Sequence, residues 1–197
     1  PYSVSSQNMG KWITDLIADY KKNLNERKTN LDDDYIKFIR LEQHYVEKNG
    51  TGILAYISNN SFIDGITHRQ MRRLLMKAFD KIYILDLHGS SRKQEVAPDG
   101  GKDENVFDIM QGVSINLFVK TGSKKKDELA SVFHHEIYGT RESKYSTLSE
   151  TSFSSIQWKQ IHPEEPYYFF VSKDFSVRAD YEKGFKIDEL MVVCNSG

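Results

Sequence analysis

The most constraining feature of the sequence is a pair of apolar strands separated by an amphipathic helix. Residues 52–58 form a short, nearly continuous apolar run, which is typical of a strand covered on both faces. Residues 66–79 carry apolar side chains at helical spacing, and residues 81–87 are again strand-like. Strand, helix and strand in this order imply a right-handed parallel crossover. The sequence therefore predicts an α/β domain built around a layered sheet.

A third strand is predicted at residues 112–121, where apolar and polar side chains alternate. The polar loop that joins it to the strand at 81–87 has no helical pattern, so these last two strands are free to pair antiparallel. Phe107 stands in this loop among several glycines, an arrangement that suits a flat ring placed at a cleft. The same position also suits a core aromatic. Ile109 and Met110 are close enough in the sequence to take the role of Phe107.

Periodicity also predicts elements on either side of these strands. The character of the sequence changes after Thr121, where a run of lysines marks a solvated turn. We therefore divide the chain into a sheet domain at residues 1–122 and a second part at residues 123–197, which holds a closing strand and a linker. The further predicted elements are helices at residues 9–27, 32–48 and 141–151 and a strand at residues 130–138.

The composition describes a soluble globular protein. The chain has 197 residues, of which 39% are hydrophobic and 28% charged, and this length allows one substantial core. No apolar run approaches the roughly 18 residues that span a bilayer, so we expect no membrane partner. A single cysteine, Cys194, excludes an internal disulfide and favours a reducing, cytoplasmic location. A net charge of -1 gives no general attraction to nucleic acid.

Any contact with nucleic acid must therefore come from local basic patches. One patch is a face of the helix at residues 66–79, and the other is the run of three lysines at the boundary between the two parts. Each patch suits phosphate contacts, although a charged face of this kind is more often only solvated. The candidate phosphate-binding residues are Arg69, Arg72, Arg73, Lys77, Lys124, Lys125 and Lys126.

The pair His134-His135, followed by Glu136, raises the question of a metal site. Adjacent residues of a strand point to opposite faces, so this pair makes a poor chelate. Cys194 has no histidine or cysteine nearby in the sequence and is interpreted as structural. We therefore predict no metal site.

Three stretches of the sequence resemble a known family of enzymes. Pro1-Tyr2 is similar to the second half of Asn-Pro-Pro-Tyr, the signature of amino-directed methyltransferases that use S-adenosylmethionine. Residues 85–91, Leu-Asp-Leu-His-Gly-Ser-Ser, and residues 100–113, Gly-Gly-Lys-Asp-Glu-Asn-Val-Phe-Asp-Ile-Met-Gln-Gly-Val, resemble the family more specifically, and residues 132–141 follow it as well. The family is the adenine-specific DNA methylases of bacterial restriction-modification systems, especially large chains that fuse methylase, helicase and nuclease parts.

The resemblance implies a fold and a reaction. The fold would be the C-terminal half of a Rossmann-like methyltransferase sheet, with parallel strands and an antiparallel last hairpin, extended towards a target-recognition region. The reaction would move a methyl group from S-adenosylmethionine to the exocyclic amine of an adenine flipped out of duplex DNA. Pro1 and Tyr2 would belong to the catalytic signature. Tyr2 would stack on the flipped ring, Phe107 would pack against its other side, and the basic residues Arg69, Arg73 and Lys124 to Lys126 would contact the DNA.

The departures from the family pattern are as informative as the match. The asparagine and first proline of the signature are absent, because the chain begins after them. The glycine-rich cofactor strand of the family would lie upstream, and Gly100-Gly101 opens no helix here. We therefore expect a fragment of a larger parent polypeptide, which neither binds the cofactor well nor methylates by itself. The expected partners are double-stranded DNA and the remainder of that parent.

Two other classes of function remain open on the sequence. RNA and protein-glutamine methyltransferases share Asn-Pro-Pro-Tyr, although the roughly 75 residues that follow the last sheet strand count against them. A non-catalytic DNA-binding or scaffolding module that retains half of the fold is the third possibility. The missing cofactor motifs favour that module for the chain as it stands.

Overall fold

The computed structural model describes residues 10–26, 31–125 and 127–185. Its strands are β1 (Gly52–Asn59), β2 (Lys81–Asp86), β3 (Val113–Lys120), β4 (Ser131–Glu136) and β5 (Lys159–Ile161). Its α-helices are α1 (Lys11–Lys21), α2 (Asp34–Asn49), α3 (Ser61–Asp64), α4 (Arg69–Ala78), α5 (Arg141–Glu150) and α6 (Arg178–Tyr181), with a short 3-10 turn at Ile66–His68. Within the described ranges, no helix is both long and apolar enough to cross a membrane.

The five strands form one mixed sheet in the order β1-β3-β2-β4-β5. β3 is antiparallel to both of its neighbours, β1 and β2, while β2 and β4 are parallel. The predicted α/β class and the antiparallel pairing of β2 with β3 are confirmed. β1 and β2 run in the same direction, as the crossover requires, but β3 lies between them. β4 and β5, which follow residue 122, continue the same sheet on the far side of β2.

The interpretation of β1 as a strand covered on both faces is wrong. Leu54 and Ser58 are buried, whereas Ile53 and Ile57 on the opposite face are 66% and 53% exposed. The physical reason is the position of β1 at the edge of the sheet, where one face packs beneath α2 and the other is left open among the described residues. A continuous apolar run cannot by itself distinguish a strand with two covered faces from one with an exposed apolar face.

The main core lies between the sheet and helices α1, α2 and α4. Each large apolar side chain that is fully buried here contributes roughly 1.5–3 kcal/mol relative to its exposed state. Phe79 and Phe118 pack with ring centroids 5.4 Å apart, which joins the end of α4 to the middle of the sheet. The fully buried members of this core are Tyr20, Leu31, Ile36, Ile39, Phe62, Met71, Leu75, Phe79, Ile82, Ile84, Phe118, Val132 and Phe170.

Arg72 belongs to this core, and its assignment to an exposed phosphate-binding face is wrong. Its side chain is fully buried, and its guanidinium donates to the carbonyl oxygens of Phe62 at 2.6 Å and Gly65 at 2.8 Å. It also donates to the carbonyl oxygens of Tyr167, at 2.6 Å, and Tyr168, at 2.9 Å. Arg72 therefore joins α4 to the segment that follows β5, and it has no face left for DNA.

Candidate functional site

The candidate site is built on the long loop of residues 87–112, which leaves the carboxyl end of β2 and returns as β3. The side chain of Asn105 connects three parts of this loop. Its amide nitrogen donates to the carbonyl oxygens of Gly89 at 3.1 Å and Gln111 at 2.6 Å, and its amide oxygen accepts from the backbone N–H of Phe107 at 2.9 Å. One buried side chain thus holds the start, the tip and the end of the loop together.

Gly89 is required for the close approach that these bonds depend on. Its φ of +81° lies in the left-handed region, and a Cβ at this position would stand 2.4 Å from the Cα of Asn105. Real Cβ atoms do not approach backbone atoms so closely, so only glycine allows the start of the loop to lie against the backbone of Asn105.

The tip of the loop presents apolar side chains to solvent. Phe107 is 45% exposed, and Ile109 and Met110 beside it are 47% and 53% exposed. Phe107 is therefore not a core aromatic. A cleft of about 830 Å³ opens next to the tip, with walls formed by parts of residues 89–95, 103–110 and 140–142. Its volume lies in the range of small-molecule sites.

Helix α5 supports the tip through Arg141. The guanidinium of Arg141 donates from Nε to the carbonyl oxygen of Asn105 at 2.8 Å and from Nη2 to the carbonyl oxygen of Phe107 at 3.1 Å. It also forms an ion pair with Asp108 at 2.7 Å. Tyr145, one turn further along α5, donates its hydroxyl to the carbonyl oxygen of Val106 at 2.5 Å. The backbone on both sides of Phe107 is thus fixed by two side chains of one helix.

A fully buried ion pair holds the base of the loop. The ammonium of Lys144 lies 2.8 Å from Asp103, and both side chains have no exposed surface. Lys144 also donates to the carbonyl oxygens of Leu87 at 2.6 Å and Glu104 at 2.7 Å. Asp103 in turn accepts from the backbone N–H groups of Gly89 at 2.7 Å and Gly139 at 2.9 Å.

Sequence reasoning missed this ion pair, and no local signal indicates it. Lys144 lies among serines in a polar helix, and Asp103 lies in a charged loop. Each residue, taken alone, has the sequence surroundings of an exposed one. Only the resemblance of residues 100–113 to a known family marked the stretch around Asp103 as special.

His88, at the start of the loop, stands among three carboxylates. Its ring nitrogens lie 3.7 Å from Asp86, 3.9 Å from Glu95 and 3.4 Å from Glu136, and its ring stacks on Tyr138 with centroids 4.0 Å apart. Burial opposes the charged form, but attraction to Glu136, Glu95 and Asp86 outweighs it. The pKa of His88 is raised to about 9. His88 is therefore a cation at neutral pH that links β2, the loop and the end of β4.

This cation predicts a pH dependence of stability. A folded-state pKa above the ordinary value means that His88 stabilises the fold fully below pH 6.5 and that this contribution is lost as the pH rises through about 9. We expect the free energy of unfolding in urea to fall across this window. A His88→Asn variant should show a flatter profile, because asparagine tolerates the left-handed φ of 49° but carries no charge. Parallel profiles for the two proteins would contradict the assignment.

A second, smaller cleft of about 300 Å³ lies at the carboxyl end of β1. Asn60 donates to Asp86 at 2.9 Å, which connects the end of β1 to the end of β2. Burial raises the pKa of Asp86. It also lowers the pKa of His68, which lines this cleft together with Asn60, to about 4. Arg92 and Lys93 complete the opposite wall. The polar side chains that follow β1 therefore face the same region as the loop.

The predicted basic residues have varied surroundings. Arg69 forms a bidentate ion pair with Glu26, at 2.5 and 3.0 Å. Lys124 donates to the carbonyl oxygens of Met76, Lys77 and Phe79 at 2.7–2.8 Å, and so satisfies the end of α4. Lys77 and Lys125 are exposed, and Arg73 lines a shallow cleft with Tyr168.

The remaining sequence candidates are placed as follows. Pro1, Tyr2 and Lys126 lie outside the described residues. His134 is buried, whereas His135 on the opposite face is half-buried and contacts the carbonyl oxygen of Gln157 at 3.0 Å. Across residues 10–26, 31–125 and 127–185, no three histidine, cysteine or acidic side chains are grouped so as to hold a metal ion.

Comparison with solved structures identifies similar folds with DNA bound. A cryo-EM structure of a DrdV–DNA complex is 28% identical, with a TM-score of 0.70 over 83% of this chain and 16% of that one. The ATP-dependent Type ISP restriction-modification enzyme LlaBIII bound to DNA is 26% identical, with a TM-score of 0.71 over 86% of this chain and 12% of that one. A nuclease-deletion mutant of the Type ISP restriction-modification enzyme LlaGI in complex with a DNA substrate mimic is 26% identical. Its TM-score is 0.72 over 87% of this chain and 17% of that one.

The chain thus spans 12–17% of the length of these neighbours. No protein-family model matches it, and no curated protein sequence does. The comparisons support the interpretation of this chain as a region of a restriction-modification enzyme, which agrees with the sequence resemblance to restriction-modification systems.

Proposed function

We propose that this chain is part of a DNA adenine methyltransferase of a restriction-modification system and that it forms one wall of the cleft that receives the flipped adenine. The observation that carries the proposal is the exposed ring of Phe107 on a loop tip whose backbone is held by Asn105 and Arg141. The sequence resemblance of residues 85–121 and the likeness to DNA-bound restriction-modification enzymes support it.

The geometry suits the recognition of a base outside the helix. An amine inside a duplex is out of reach, so an enzyme that modifies it must extrude the nucleotide, at a cost of a few kcal/mol. Stacking of a base on an aromatic ring returns about 1–3 kcal/mol. Because the tip is already held in place, Phe107 stacks without ordering the loop first. Tyr2, from the sequence resemblance, would approach the opposite face of the base.

The proposal assigns the main site for S-adenosylmethionine to other parts of the parent polypeptide. The acidic groups at the carboxyl ends of β2 and β4, Asp86 and Glu136, are engaged by Asn60 and His88. The only stretch with adjacent glycines, Gly100-Gly101, lies in the loop and opens no helix. The cofactor would therefore be held by other parts of the parent, and this chain contributes to base binding.

The proposal is tested with the longer polypeptide that carries this segment. Transfer of a labelled methyl group to duplex DNA should fall about 5–150-fold in a Phe107→Ala variant, which corresponds to the loss of about 1–3 kcal/mol of stacking. Fluorescence of 2-aminopurine at the target adenine should also change, because the flipped base loses one stacking partner. Phe38→Ala is a matched control, since Phe38 is exposed to nearly the same degree, 46%, on α2.

The same assay separates the other classes of function. Label on RNA or on a protein glutamine, but not on DNA, would assign the chain to another amino methyltransferase. Binding of DNA without label on any substrate would leave a non-catalytic DNA-binding module. Equal methyl transfer by the Phe107→Ala variant and the unmodified polypeptide would show that Phe107 does not belong to the site.

A further inference from the structure

We propose that Arg141 is a positioning residue that sets the location of the Phe107 ring by holding the backbone of the loop tip. The inference rests on the proposed function, because it assigns the role of Arg141 through Phe107. Among the described residues, Arg141 is the side chain that binds the carbonyl oxygens of both Asn105 and Phe107, at 2.8 and 3.1 Å. These two oxygens belong to the peptide groups that precede and follow the Val106–Phe107 peptide along the chain.

Arg141 can hold the tip because its own backbone is fixed. Its N–H donates to the carboxylate of Glu104 at 2.9 Å, and it is the first residue of α5, which is capped by Thr140. One turn later, Lys144 is bound to Asp103 and to two loop carbonyls in a fully buried contact. The guanidinium therefore projects from a rigid base onto the loop, and a shift of α5 would shift Phe107 with it.

A different role for Arg141 is a direct contact with a DNA phosphate, because its side chain is 38% exposed at the wall of the cleft. The contacts favour positioning. Two donor groups are directed at carbonyl oxygens, and Asp108 compensates the positive charge at 2.7 Å. A phosphate-binding arginine gains most when its charge is uncompensated and its planar fork is free for bidentate contact.

Three variants of the longer polypeptide distinguish the two roles. Arg141→Gln and Arg141→Lys each remove the paired donation, since a lysine has a single ammonium that cannot reproduce the guanidinium fork. If Arg141 positions the loop, both variants should lower kcat for methyl transfer by about 10–100-fold, because small misplacements of reacting groups have effects of this size. The Kd for DNA and its dependence on salt should stay unchanged. Asp108→Asn should lower kcat in the same direction, because it releases the guanidinium.

A phosphate contact predicts the opposite pattern, and that pattern would overturn the proposal. Arg141→Lys would then retain most of the activity, Arg141→Gln would weaken DNA binding and reduce the salt slope by about one, and Asp108→Asn would tighten binding. Arg178→Gln is the matched control, because the side chain of Arg178 is 40% exposed and is likewise paired with a carboxylate, Glu182, at 2.7 Å, but lies on α6.

A readout that does not depend on catalysis separates failure of the inference from failure of the proposed function. The N–H of Phe107 is bonded to Asn105, so its hydrogen exchange reports the order of the tip directly. Arg141→Gln should accelerate exchange at residues 105–108 and leave the exchange of β2 and β3 unchanged. Unchanged exchange at the tip would refute positioning. If exchange at the tip is accelerated but Phe107→Ala has no effect on methyl transfer, the positioning contact is supported and the proposed function is contradicted.

Discussion

Replacing Lys144 by methionine is expected to lower the free energy of unfolding by about 3–5 kcal/mol, the range observed when one member of a buried ion pair is removed. Methionine has nearly the same shape, so packing is preserved. The variant leaves the carboxylate of Asp103 without its cation in a site with no exposed surface. It also leaves the carbonyl oxygens of Leu87 and Glu104 without a donor. Urea unfolding followed by circular dichroism measures the loss.

The control for this experiment lies in the same loop. Lys102 is paired with Glu104, but its side chain is 75% exposed, so Lys102→Met should cost no more than about 1 kcal/mol. A double variant, Asp103→Asn with Lys144→Met, should recover part of the loss, because the unpaired charge is removed. A loss below about 1 kcal/mol for Lys144→Met would show that the buried pair does not hold the loop.

The second large effect is expected at Gly89. Gly89→Ala places a methyl group 2.4 Å from the Cα of Asn105 and 2.7 Å from its backbone nitrogen, and neither atom belongs to a side chain that can turn away. The start of the loop must therefore move, and the bonds of Asn105 to Gly89 and Gln111 are strained or broken. We expect a destabilisation of at least about 3 kcal/mol.

Gly100 provides a matched control for the backbone contribution. Its φ of +82° is nearly the same as that of Gly89, but a Cβ there would meet nothing within 4 Å. Gly100→Ala should therefore cost only the left-handed penalty of about 1–2 kcal/mol. The difference between the two variants measures the steric effect at Asn105. Equal losses would mean that the loop yields to the added methyl group, and that the close approach at Gly89 does not define its shape.

Much of the fold follows from local patterns in the sequence. β2 and β3 were predicted within one residue of their observed bounds, because strongly alternating or apolar runs flanked by glycine and polar residues specify strands. The helix predicted at residues 9–27 ends at Lys21 instead, within the described part of the chain. Leu24 still packs against the core, but from a segment that has already left the helix, so apolar spacing alone extended the prediction too far.

The strand order and the roles of the basic residues do not follow from such patterns. The position of β3 between β1 and β2 depends on pairing partners, which periodicity does not encode. Arg72, Lys124 and Lys144 read as surface cations, but each bonds several backbone carbonyl oxygens that tertiary structure brings together. Phe107 is a candidate because it is an aromatic in a glycine-rich loop that leads into a strand, and the sequence resemblance implies its stacking role. The structure adds the contacts that hold the tip of that loop.

The position of β1 has a practical consequence for handling the isolated chain. One side of β1 pairs with β3, while among the described residues no strand pairs with its other side, and Ile53 and Ile57 are exposed on one face. An open strand edge beside branched apolar side chains is a template on which a second chain can add by backbone hydrogen bonding. We therefore expect the isolated segment to self-associate through this edge as its concentration rises. A partner strand paired with β1, or a charged residue in place of Ile57, should reduce this aggregation.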